Sequence, residues 1–163
     1  MSLVDIMFGW FKPRFPKLDT ISISRMDLRD NLTSLGLNGS WGYMDLSADS
    51  EYRVPTLENL KDIIRYDSSD TKRYINARRD CDDFARIFLG NLSAEGQGDL
   101  PIGWIKGWMI CPDKSVYHKM CWAWTREGLY IFEPQNDNYI WKYGDTINWG
   151  PSATGFRPNT MGI

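Results

Sequence analysis

The chain has 163 residues, 42% of them hydrophobic and 25% charged, which suits one globular domain with a true core. Its net charge of −2 gives no broad basic field, so nucleic acid is not an expected partner. Cys81, Cys111 and Cys121 make no disulfide framework, no apolar run approaches the ~18 residues of a membrane span, and no signal-peptide pattern opens the chain. Free thiols, a reducing compartment and a cytoplasmic location are therefore expected.

Residues 1–20 form a compositional zone of their own. Phe8, Trp10, Phe11 and Phe15 alternate there with Lys12, Arg14 and two prolines. The segment reads as an arm lying on the domain, or as a docking peptide (residues 1–16) for a partner protein or a membrane surface. The domain proper is read as residues 21–163. Ile21 and Ile23 alternate with serines as in a short strand, and Arg25 to Leu35 carries a mediocre helical pattern. Gly36, Asn38, Gly39 and Gly42 then signal a loop, in which Trp41 is a candidate groove residue.

Leu57, Leu60, Ile63 and Ile64 form one apolar stripe, which predicts a helix starting near Pro55 or Thr56. A second helix is predicted from Cys81 to Leu92. Asp80 would be its N-cap and Asp83 the reciprocal capping residue. Phe84, Ala85, Phe88, Leu89 and Leu92 then share one face with Cys81. Strands are predicted near 104–110, 117–125, 128–133 and 139–143, and the Gly-, Pro- and Asn-rich tail from Gly150 reads as loop. Helices first and strands later predict an α+β fold, with helices packed on an antiparallel sheet.

Cys81 at a helix start meets backbone N–H groups whose partial charge favours a thiolate, while Asp80, Asp82 and Asp83 oppose it. A base is therefore needed, and His118 is the only histidine in the chain. With Arg126-Glu127 as a hairpin loop, Thr125 faces Gly128 and Trp124 faces Leu129. The same register makes His118 and Glu133 diagonal neighbours, roughly 7–8 Å apart at Cα. Glu133 can then orient the imidazole, leaving its other nitrogen for the Cys81 proton, and Gln135 can donate to an oxyanion. A zinc site of Cys111, His118 and Cys121 lacks metal-site spacing, and the aspartate cluster lacks a calcium loop.

The order cysteine, histidine, acid on helix, strand, strand resembles the papain-like and transglutaminase-like superfamily. Within it, Cys81-Asp82-Asp83-Phe84-Ala85, His118 and Glu133-Pro134-Gln135 resemble the C-terminal cysteine-protease domain of Marasmius-type fungal agglutinins and its bacterial and phage relatives, over about residues 55–143. The resemblance implies a papain-like domain in which Cys81 is the nucleophile, His118 the base and Glu133 its orienting acid. Gln135 would lie in the site. Upstream of Cys81, Tyr74 and Asn76 are the available oxyanion donors, and Asn76 is the better one. Trp41, Trp104 and Trp122 would line the groove.

The implied activity is a thiol hydrolase, a cysteine peptidase working through an acyl-enzyme on a peptide or protein substrate. No cofactor is required, and the calcium response of the fungal proteins implies Ca²⁺ as an activator. Transglutaminase-type acyl transfer and a catalytically silent interaction module, in a host cytoplasm or a phage particle, are the alternatives.

Overall fold

The computed structural model describes residues 15–37, 44–45, 49–75, 80–111, 115–146 and 155–163. Its elements begin with strand β1 (Thr20–Ser24), helix α1 (Arg25–Ser34), strand β2 (Met44–Asp45) and strand β3 (Glu51–Pro55). Helix α2 (Leu57–Tyr66), a 3-10 turn (Ser69–Thr71) and helix α3 (Cys81–Ala94) follow. Strands β4 (Ile102–Ile110), β5 (Val116–Thr125), β6 (Gly128–Phe132), β7 (Ile140–Lys142) and β8 (Gly155–Gly162) complete the chain.

Each helix starts where a short polar side chain satisfies a free backbone donor. Ser24 accepts from Asp27 N at 3.1 Å and Thr56 from Asn59 N at 3.2 Å. Asp80 and Asp83 cap each other's backbone in a reciprocal box. The apolar stripes then go inward: Leu28 and Leu32 from α1, Leu60, Ile63 and Ile64 from α2, and Phe84, Ala85, Phe88 and Leu92 from α3. Burying a phenylalanine such as Phe88 contributes about 1.5–3 kcal/mol.

The main sheet runs β2-β8-β4-β5-β6-β7, with β2 and β8 parallel and the other pairs antiparallel. A separate two-stranded sheet pairs β1 with β3. Strand alternation sends Met120 and Trp122 of β5 into one core, with Ile105, Leu129, Ile131 and the α1 leucines. Cys121 and Ala123 go into the other, with Phe132 and the apolar faces of α2 and α3. No helix among the described residues is long and apolar enough to cross a membrane.

The expected α+β papain-like arrangement is corrected to a predominantly β fold. Strand residues outnumber helical ones, strands both precede and follow the helices, and the tail predicted as loop forms the long strand β8. β8 is illegible in the sequence because its Gly155, Pro158, Asn159 and Gly162 read as turn residues. Those residues suit an unusually close pairing. Gly107 lies opposite Pro158 at a register shift, where a residue without an N–H is tolerated. A Cβ on Gly107 would collide with Arg157 O and lie 2.8 Å from Pro158 Cα, and one on Gly103 would collide with Gly162 O.

The N-terminal arm is described only from Phe15. Its ring packs edge-on against Tyr66 at 5.1 Å, and Asp19 pairs with Arg126 at 2.6 Å. Residues 1–14, and with them most of the expected docking peptide, lie outside the described residues.

Two glycine substitutions separate packing from propensity. Gly107→Ala should lower unfolding free energy by about 1–3 kcal/mol, because backbone must shift to admit the methyl group. Gly90→Ala, mid-helix on the exposed side of α3 with nothing within 4 Å, should raise it by about 0.5–1 kcal/mol. Urea unfolding of both variants measures the contrast.

Candidate functional site

Cys81 is the first residue of α3, immediately after the Asp80 cap, and is half-buried. His118 enters from the start of β5, and Glu133 follows directly on β6. β5 and β6 pair as Thr125 with Gly128, Trp124 with Leu129 and Cys121 with Phe132. The hairpin turn closes at Gly128, whose φ of 117° favours glycine.

This register lets His118 Nε2 and Glu133 Oε2 meet at 2.7 Å. Glu133 is 1% exposed, so its charge depends on partners rather than water. Its second oxygen accepts the Gln135 N–H at 3.1 Å, and its own N–H donates to Tyr139 O at 2.9 Å. With Nε2 committed to Glu133, Nδ1 is the ring nitrogen left for the hydrogen bond between His118 and Cys81.

Burial pulls the His118 pKa down. The hydrogen bonds to Cys81 and to Glu133, with their charges, together push it up more strongly and leave it at about 9. The site thus favours the imidazolium form of His118 beside the Cys81 sulfur. The aspartates expected to oppose a thiolate are themselves engaged. Arg86, one turn into α3, reaches Asp82 at 2.9 Å and Asp83 at 3.4 Å. Hydrogen bonding to Asp80 holds the Asp82 carboxyl below its ordinary value, while Asp80 is raised by the same bond. The sequence carried this signal as the i,i+4 spacing of Asp82 and Arg86.

The remaining candidates scatter. Trp41 and Asn76 lie outside the described residues. Trp122 is fully buried and its indole donates to Gly162 O at 3.1 Å, so it is a core residue and lines no groove. Trp104 is half-buried beneath Lys106 and Lys119. Gln135 binds Glu133 through its backbone, and the residue borders a polar hollow shared with Asp70, Asn136 and Asp137. Tyr74 is exposed. Cys121 is fully buried, and burial pushes its thiol well above the ordinary range. Among the described residues, the cluster able to gather around a metal is Asp80, Asp82 and Asp83, and Cys111, His118 and Cys121 form none.

No protein-family model matches the sequence, and no curated protein matches it. Solved structures do match the fold. One is a PSL1a–E64 complex, with a TM-score of 0.62 at 19% identity, covering 87% of this chain and 51% of that one. A second is Polyporus squamosus lectin bound to the human-type influenza-binding epitope Neu5Aca2-6Galb1-4GlcNAc, with a TM-score of 0.62 at 18% identity, covering 87% of this chain and 49% of that one. The chain thus shares a fold with these structures and spans about half their length.

These matches correct the expected family and activity. One of the structures that share the fold is of a lectin, neither is named as a peptidase, and no family model ties the sequence to papain-like or transglutaminase-like enzymes. On that finding the expectation of a cysteine peptidase or other thiol hydrolase does not stand, nor do acyl transfer and a silent papain-like module as its alternatives. A peptide substrate loses its support with them.

The raised His118 pKa makes a stability prediction. The group gains protons on folding, so its contribution is complete below its ordinary pKa of 6.5 and is lost as pH rises through about 9. Unfolding free energy from urea titrations should fall over that window, by as much as about 3 kcal/mol. His118→Gln should remove most of the slope.

Proposed function

We propose that Cys81, His118 and Glu133 form a reactive-thiol ligand site, in which the sulfur bonds covalently to an electrophilic ligand. The observation that carries this reading is the 2.7 Å bond between His118 Nε2 and a Glu133 that is 1% exposed. It holds the ring through Nε2, which makes Nδ1 the nitrogen able to serve Cys81, and stabilises the imidazolium that a thiolate needs beside it. Cys81 is half-buried rather than sealed in the core as Cys121 is. One structural neighbour is a complex with E64, which supports testing the same compound on this chain.

Iodoacetamide is the primary probe: sulfur displaces iodide and a C–S bond forms. At pH 7, Cys81 should label at least about tenfold faster than the similarly half-buried Cys111. His118→Ala should slow Cys81 toward the Cys111 rate and leave Cys111 unchanged. A stoichiometric mass increase on Cys81 after incubation with E64 would support the reading further. Equal rates at both thiols, unaffected by His118→Ala, would sink it.

A second reading, carbohydrate binding, is favoured by the sialylated epitope bound to the other neighbour and by one surface feature. Trp108 and Tyr117 pack edge-to-face at 5.1 Å and are 39% and 44% exposed. An exposed aromatic pair can bury the apolar face of a sugar ring. Titration with Neu5Aca2-6Galb1-4GlcNAc should give saturable heat that Trp108→Ala abolishes. Absence of heat at millimolar glycan, with the protein folded, counts against this reading.

A further inference from the structure

Three cations, Lys106, Lys119 and Arg86, converge beside the thiol site, next to the aspartates that open α3. Lys106 and Lys119 are direct cross-strand partners on β4 and β5, where like charges repel. Their ammonium groups lie 5.8 and 4.9 Å from the centre of the Trp104 ring. Arg86 approaches from α3 and acts on Lys119 electrostatically. Asp82, the residue after Cys81, acts on both lysines electrostatically, and Arg86 already holds it at 2.9 Å.

Lys119 is the informative member. It is 6% exposed, yet has no hydrogen-bond or ion-pair partner among the described residues. Burial, Lys106 and Arg86 all lower its pKa, against a weaker pull from Asp82. The ammonium itself is not sealed from solvent, so an anion can reach it, and a partly desolvated ammonium gains from a counter-charge. Asp82 and Asp83 are both drawn to Arg86, so among the described residues neither lysine over the aromatic floor has an ion pair of its own. Lys119 follows His118 in the chain, and Asp82 follows Cys81.

We infer that Lys106, Lys119 and Arg86, above Trp104, form an anion subsite that receives an oxyanion group, carboxylate or phosphate, of the ligand that reaches Cys81. The inference rests on the reactive-thiol reading for the identity of that ligand, while the subsite itself can be measured without it. Its effect is to raise the local concentration of anionic ligands near the sulfur.

Two measurements test the subsite separately from the thiol. The first compares iodoacetate with iodoacetamide, which differ in charge. The iodoacetate-to-iodoacetamide rate ratio at Cys81 should exceed the ratio at Cys111 by about tenfold at low salt and fall at high salt. Lys119→Met and Lys106→Met should each lower the ratio, which divides out any change in the reactivity of the thiol itself, and circular dichroism shows that the variants fold. The second follows the Trp104 indole N–H by NMR during titration with acetate or inorganic phosphate at constant ionic strength. Saturable shifts should appear and be lost in Lys119→Met, and the probe that saturates first names the oxyanion. A ratio unchanged in both variants, with no saturable shift, overturns the subsite even if Cys81 labels fast. Slow iodoacetamide labelling with the shifts intact overturns the thiol reading and leaves the subsite standing.

Discussion

The bond between His118 and Glu133 is the constraint on which the candidate site depends. Glu133 is almost completely removed from water, and a carboxylate there without partners would cost several kcal/mol. His118 supplies one partner and the Gln135 N–H another. The bond ties the start of β5 to the loop after β6, and that loop is closed in turn by hydrogen bonds between Glu133 and Tyr139 and between Asn136 and Glu133. With the ring locked in this way, the start of α3 can present Cys81 to a fixed nitrogen rather than to a rotating side chain.

The sheet beneath the site depends on a different constraint, the close approach of β4 and β8. Gly103 and Gly107 on one strand and Gly162 on the other leave no room for side chains. A Cβ on Gly162 would lie 2.9–3.0 Å from the Trp104 ring, so the same closeness positions the floor under Lys106 and Lys119. Backbone pairing and the cationic cluster are thus coupled through Trp104.

Local features are legible in the sequence, and the global arrangement is not. The α2 and α3 stripes and the Asp80 cap follow from helical spacing and capping chemistry, both local in the chain. The Arg126-Glu127 turn fixes the β5–β6 register, because a hairpin of known loop length determines every pair beyond it. β8 escapes the same reading, since its glycines and proline serve a long-range pairing that no local pattern displays. Trp122 reads as a groove residue because aromatic composition does not tell core from cleft. Only the fold shows Lys119 buried opposite Lys106, a cross-strand pairing that no local pattern displays. The fold match also replaces the expected enzyme family with likeness to a lectin over about half of that protein's length.

The most direct test exploits the single histidine of the chain. Nitrogen-15 NMR of the imidazole follows its titration and tautomer with no competing signal. In the wild-type protein the midpoint should lie near 9, with Nε2 protonated toward Glu133, and it should fall clearly in both Glu133→Gln and Cys81→Ser. A midpoint near the ordinary 6.5, indifferent to the Cys81 substitution, would contradict the assignment of these three residues to one site.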